Sequence, residues 1–288
     1  MPNKFSSYKW ASLLYLTRVH TPTGYLLSFF PAAFGLMLAY EKVADLIYLP
    51  LFLIGSVLVR SSGCIINDLI DQKLDKKVAR TKNRPIANGD VSTQEALILL
   101  AILLCISLGI LLSLNATAIY IGIISICLIT LYPLMKRITY YPQTFLGITF
   151  NTGCLIGYAA VKETLSYDAF TLYIACGFWT MGYDTIYAFM DLKDDKKVGI
   201  KSTAILFEHK AFKLIIAGFY AAFFILFMFS IRNIFSIYTV MAVALNTIIT
   251  LWITINLDIY NNKNCMARFK INNYIGFVLF LAMLLEKL

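Results

Sequence analysis

Apolar runs long enough to cross a lipid bilayer recur along the whole chain, and this constrains its fold more than any other feature. A membrane-crossing helix needs about 17 to 25 predominantly apolar residues. Runs of that kind are expected near 22–40, 46–66, 96–114, 117–135, 143–161, 169–190, 211–231, 234–256 and 272–286, the last being short and opening among Asn272, Asn273 and Tyr274. Lipid offers no hydrogen bonds to a bare backbone, so such segments must be helices or a closed barrel. Runs this long without two-residue alternation predict helices. The predicted architecture is an all-α, polytopic transmembrane bundle of nine spans forming one domain over residues 1–288.

Composition agrees. Hydrophobic residues make up 59% of the 288 and charged residues only 14%, against roughly a quarter charged in soluble chains. That is too little polar surface to coat a globule in water. The N-terminus has no short apolar core with a small-residue cleavage site, so no cleaved leader is expected.

Charge placement predicts orientation. Of the 25 Lys and Arg residues, only Lys42, Lys162, Arg232 and Lys287 fall in connections on one side, and Arg60 lies inside a span. The rest cluster at the N-terminus and in the connections of the other side, which the positive-inside rule assigns to the cytoplasm. The net charge of +9 is thereby topological. No basic stripe interleaved with aromatics suggests nucleic-acid binding. The six cysteines form no C-x-x-C pair and read as small apolar packing residues in a reducing compartment.

Seven of the 16 acidic residues lie in two clusters. The first is Asn67-Asp68-Leu69-Ile70-Asp71-Gln72-Lys73-Leu74-Asp75, closing the second span; the second is Asp184, then Asp191-Leu192-Lys193-Asp194-Asp195, closing the sixth. On an α-helix, Asp68, Asp71 and Asp75 share a face within about 60°, and Asp184, Asp191 and Asp195 share one within about 40°, with Asp194 beside them. Like charges so arranged weaken a helix unless cations sit among them. Oxygen-only donors select hard divalent ions, and magnesium characteristically bridges protein carboxylates to substrate phosphates. Arg80, Lys82 and Arg84 follow the first cluster; Lys193, Lys197 and Lys201 surround the second. Tyr132 and Lys136 end the fourth span on the same side. Carboxylates alone would repel a diphosphate, whereas metal and cations together would bind one.

These residues resemble the UbiA family of intramembrane prenyltransferases, and within it the 4-hydroxybenzoate polyprenyltransferase branch. The motifs are N-D-L-I-D-Q-K-L-D from Asn67, R-T-K-N-R-P-I-A-N-G from Arg80, and Y-D-T-I-Y-A-F-M-D-L-K-D-D-K-K-V-G-I-K-S-T-A from Tyr183. R-V-H-T-P-T-G from Arg18, R-S-S-G-C from Arg60 and Y-P-L-M-K-R from Tyr132 support them. His20 departs from the acidic residue expected in that branch.

The resemblance implies a multi-pass enzyme of the cell inner membrane, with its site facing the cytoplasm. It would transfer a polyprenyl group from polyprenyl diphosphate to 4-hydroxybenzoate in ubiquinone biosynthesis, amid membrane lipid. Mg2+ would be held by Asn67 and Asp71 on one side and Asp191 and Asp195 on the other, with Asp68, Asp75 and Asp194 as further ligands or supports. Lys136, Tyr132, Arg80, Arg84 and Lys197 would face the diphosphate, with Arg18 and Asp184 lining the substrate site. Arg60 is the expected partner of the benzoate carboxylate, and Arg137 the alternative. A different acceptor, such as a naphthoate, and a divalent-cation transporter are the competing functions. Gly147, Gly153 and Gly157 read as points of close helix packing.

Overall fold

The computed structural model describes residues 4–77, 81–234 and 236–287. Within them are fourteen α-helices and two short 3-10 turns, with no strand among the described residues. In order, α1 spans Lys4–Thr17, α2 Pro22–Ala39, α3 Tyr48–Asp75, α4 Pro85–Asn88, α5 Thr93–Leu112, α6 Ala116–Ile138 and α7 Pro142–Phe150. Then come α8 Thr152–Lys162, α9 Tyr167–Ala188, α10 Leu192–Val198, α11 Thr203–Phe207, α12 Phe212–Ser230, α13 Ile237–Ile255 and α14 Asn262–Leu285.

Starts follow local chemistry. The Ser92 side chain accepts the Glu95 N–H while Glu95 reaches back, closing a capping box at α5. Asn115 and Ser166 cap α6 and α9 by accepting the N–H three residues on.

Eight of the expected spans correspond to helical stretches long and apolar enough to cross a membrane, so the protein is a multi-pass membrane protein. The sixth, α9, has the length but falls outside that set. Its neighbours explain why. It packs against α2, α7, α8, α12 and α14, so protein rather than lipid surrounds it, and Thr171, Thr180 and Thr185 are buried along it. By contrast α5, whose only buried residue is Ala96, is apolar almost all round.

Three elements differ from the sequence expectation. The fifth span is broken at Asn151 into α7 and α8. The last helix starts at Asn262, well before the expected 272, because Asn261 accepts the N–H groups of Lys263 and Asn264 and so caps it there. The sixth span ends at Ala188 in a 3-10 turn, Phe189–Asp191, before α10 resumes. Three residues per turn replace 3.6 there, so Asp184 does not share one straight helical face with Asp191 and Asp195.

Packing is tightest between α2 and α8. A Cβ on Gly35 would lie 1.9 Å from the Cys154 carbonyl oxygen, and one on Gly157 2.1 Å from that of Ala32. Gly147 likewise faces the Gly177 backbone across α7 and α9. These glycines let backbones touch, as expected for membrane helices that gain little from the hydrophobic effect. Behind them Trp179 stacks on Phe223 at 5.3 Å. Its indole N–H and the Tyr220 hydroxyl both donate to Asn272, tying α9, α12 and α14 together.

Helix α3 is 28 residues long, about 42 Å at 1.5 Å per residue. It carries the whole first acidic cluster on its final turns.

Candidate active site

The carboxylates of α3 point inward. Asp68, Asp71 and Asp75 are 2%, 1% and 6% exposed, while Asn67 is half-buried. The repulsion expected along this column is answered by protein cations. Asp68 accepts from Arg18 at 2.7 Å and from Arg84 at 2.9 Å, and the same Arg84 nitrogen reaches Asp75 at 2.8 Å. Asp71 pairs with Lys136 and, at 3.4 Å, with Arg137.

Arg18 reaches Asp68 from a left-handed backbone, φ 55°, a conformation that costs a non-glycine residue of order 1–3 kcal/mol. Burial by itself lowers the pKa of its guanidinium, but the adjoining Cys64 and Asp68 side chains outweigh that and raise it above the ordinary value.

The end of α6 joins this column to the second cluster. Lys136 gives its ammonium to Asp71 and its main-chain carbonyl to the Lys201 N–H, at 2.9 Å. Lys201 Nζ donates to the Ile138 carbonyl at 3.0 Å. Farther along, the Thr203 N–H donates to Gln143, and Thr203 and Thr185 hydroxyls pair at 2.8 Å. The segment after α10 is thereby stitched to α6, α7 and α9. Gly199, at φ 73°, ends α10 and allows the turn.

Helices α3 and α9 make at most slight backbone contact. The Tyr132 hydroxyl is within electrostatic reach of Asp184, Arg60, Tyr187 and Asp71. Asp184 is within reach of Arg60 and Asp191. Asp191 and Asp195 are half-buried, and Lys197 is exposed, pairing with Asp194 at 3.7 Å. Arg80 lies outside the described residues.

Sequence reasoning missed Phe150, Tyr187 and Gly24. Phe150 ends α7 with its ring 5.4 Å from the Arg60 guanidinium and 6.2 Å from the Tyr132 ring. Gly24 lies against Arg60, and Tyr187 packs on Phe269 at 4.8 Å. Gly24 and Tyr187 carried a signal, the first as the final residue of R-V-H-T-P-T-G and the second as the fifth residue of the motif that starts at Tyr183; Phe150 carried none.

Among the described residues, no three acidic, histidine or cysteine side chains converge into a ready metal cage. The donors are nonetheless hard oxygens on two helices flanked by cations. That set fits magnesium completed by phosphate oxygens and water better than an all-protein site.

The sequence pattern that defines the UbiA prenyltransferase family matches residues 28–282. The chain belongs to this family. Among its relatives, the mitochondrial 4-hydroxybenzoate polyprenyltransferase of Bos taurus is 41% identical over 283 residues, covering 96% of this chain and 75% of that protein. The 4-hydroxybenzoate octaprenyltransferase of Shewanella sp. (strain W3-18-1) is 46% identical over 199 residues, covering 69% and 70%. Among solved structures, the UbiA homolog of Aeropyrum pernix K1 superposes with TM-score 0.76 at 24% identity, covering 92% of this chain and 98% of that one. The UbiA homolog of Archaeoglobus fulgidus bound to GPP and Mg2+ gives 0.73 at 18%, covering 96% and 99%. These two likenesses establish that the fold is the UbiA bundle. The resemblance carried by the aspartate motifs is thus confirmed, and the protein is a member of a family of prenyl-transferring enzymes.

Proposed function

We propose that this UbiA-family protein transfers a polyprenyl group from polyprenyl diphosphate to the ring carbon of 4-hydroxybenzoate ortho to its hydroxyl, releasing diphosphate, as a step of ubiquinone biosynthesis. The observation that carries this reading is the 41% identity with the bovine 4-hydroxybenzoate polyprenyltransferase over 96% of the chain. The half-buried cation Arg60, beside Tyr132 and Asp184, supports it.

Asn67 and Asp71 of α3, with Asp191 and Asp195 beyond α9, are the residues that would hold Mg2+, Asp194 standing at the edge of that set. Mg2+ held by these residues would supply positive charge against the negative charge that grows on the leaving diphosphate. Asp68 and Asp75 act by anchoring Arg18 and Arg84, so that these cations stay beside the acidic column. Lys136, Tyr132, Arg84, Arg137 and Lys197 would face the diphosphate as donors, and Arg80 is a further candidate for that role. Donors already in place need no reorganisation when the allylic C–O bond breaks. The ring carbon ortho to the phenol oxygen attacks the prenyl cation, and its proton is then lost. Arg60 takes the carboxylate of the acceptor and Asp184 lies beside it. We further propose that the protein lies in the cell inner membrane with nine spans, as the family resemblance implies, and that its N-terminus and active site are cytoplasmic, which the charge asymmetry among its connections supports.

Membranes containing the protein, given Mg2+, 4-hydroxybenzoate and a polyprenyl diphosphate, should form the 3-polyprenyl acid. Absence of product with this acceptor, alongside product with a naphthoate, would overturn the reading.

A further inference from the structure

Arg60 differs from the other arginines around the site. Arg18 and Arg84 are each bonded to buried carboxylates. Arg137 pairs with Asp71 and is 47% exposed at its side chain. Among the described residues Arg60 takes part in no ion pair; its guanidinium instead faces the ring of Phe150, centroid 5.4 Å away. It is also approached by α2, where a Cβ on Gly24 would stand 2.7 Å from Arg60 Nε.

Both walls are themselves fixed. Phe150 is the last residue of α7 before the break at Asn151. Fully buried Asn151 secures that break by donating to the Gly147 carbonyl at 2.6 Å and the Thr180 hydroxyl at 2.9 Å. The Tyr132 ring leans on Phe150 from α6. Gly24 lies in the first turn of α2, just beyond Pro22.

A guanidinium laid against an aromatic face keeps its in-plane N–H groups available, and these form the fork that grips a carboxylate with two bonds. From these contacts we infer that Gly24 and Phe150 are positioning residues that hold Arg60 for the acceptor's carboxylate and so set the preference for an acidic aromatic acceptor over a neutral one. This rests on the assignment of Arg60 to the acceptor. The clamp keeps Arg60 from collapsing onto Asp184, the acid within its electrostatic reach. A neutral acceptor in the same place would leave a partly buried cation without a partner, which is what such a site discriminates against. The glycine leaves space for the guanidinium: a side chain there would press on Arg60 Nε and make it shift.

The test compares 4-hydroxybenzoate with its neutral analogue 4-hydroxybenzaldehyde in wild type, Arg60→Ala, Phe150→Leu, Phe150→Tyr and Gly24→Ala, each in native membranes. Wild type and Phe150→Tyr should favour the acid. In Phe150→Leu and Gly24→Ala, KM for 4-hydroxybenzoate should rise roughly threefold to thirtyfold, the range spanned by a cation–π contact. KM for the prenyl diphosphate should not move, and the preference for the acid should shrink towards that of Arg60→Ala. If Arg60→Ala abolishes the preference while Phe150→Leu and Gly24→Ala keep it, the clamp is refuted and the Arg60 assignment survives. If Arg60→Ala keeps the preference, that assignment fails and the clamp with it. A general loss of folding would lower the signal for both acceptors and raise neither KM selectively. Should one clamp variant fail to accumulate, the other, on a separate helix, decides the question.

Discussion

Lys136 accepts the main-chain N–H of Lys201 at 2.9 Å while its own ammonium pairs with Asp71. One residue at the end of α6 therefore joins the first aspartate motif to the segment that follows the second. The backbone half of this link survives any substitution of the side chain. Variants at 136 consequently keep the backbone tie while changing the charge beside Asp71.

Lys136→Met should keep the backbone link but leave buried Asp71 with only the longer Arg137 contact. It should therefore lower the melting temperature as well as kcat/KM, the latter by about 10²–10³, the usual cost of removing one preorganised donor to a developing anion. Lys136→Arg should recover part of it. Steady-state kinetics with varied prenyl diphosphate check both, and an unchanged kcat/KM in the methionine variant would remove Lys136 from the site.

Arg84 binds Asp68 and Asp75 through a single nitrogen, so its loss strands buried Asp75 and leaves Asp68 to Arg18 alone. Breaking a buried pair costs about 3–5 kcal/mol, and the 17% exposure of the Arg84 side chain moves the expectation to roughly 2–3 kcal/mol. Arg84→Ala should lower the melting temperature of the detergent-purified protein. Asp68→Asn should lower it too, by a smaller amount, because the amide still accepts one hydrogen bond.

The α2–α8 contact predicts a fold defect without a chemical one. A Cβ at Gly157 meets the Ala32 backbone at 2.1 Å, and backbone cannot swing aside as a side chain can. Gly157→Val should sharply reduce the amount of folded protein in membranes. Gly177→Ala, which meets nothing within 4 Å, should not. Fluorescence-detected size-exclusion separates the two outcomes.

Chelation of divalent cations should abolish prenyl transfer, and Mg2+ should restore it. Asp191→Ala and Asp195→Ala should each raise the Mg2+ concentration needed for half-maximal rate. Calorimetric titration of a prenyl diphosphate analogue with and without Mg2+ provides a reading independent of turnover.

Much of this arrangement was legible in the chain. The apolar runs located eight crossing helices, because lipid-facing residues must be apolar wherever they lie. The first acidic cluster fell on one helix, and its spacing alone implied shared cations. The second did not behave so simply. Nothing in Phe189-Met190-Asp191 marks a 3-10 turn, since neither proline nor glycine stands there, and tertiary contacts set it. The break at Asn151 was equally silent: it depends on Thr180, distant in sequence. Helix α9 was found by its length, and its weaker apolarity made sense only once its neighbours were known. Phe150 and Gly24 act through Arg60 across three helices, a relation no linear pattern records.

The span of α3 has one more consequence. A hydrocarbon layer is about 30 Å thick, and a helix of some 42 Å outlasts it, lifting Asp68, Asp71 and Asp75 into the headgroup zone while its lower turns stay among acyl chains. An oily tail and a water-loving acid can then meet at one rod, each still dissolved in the medium that suits it.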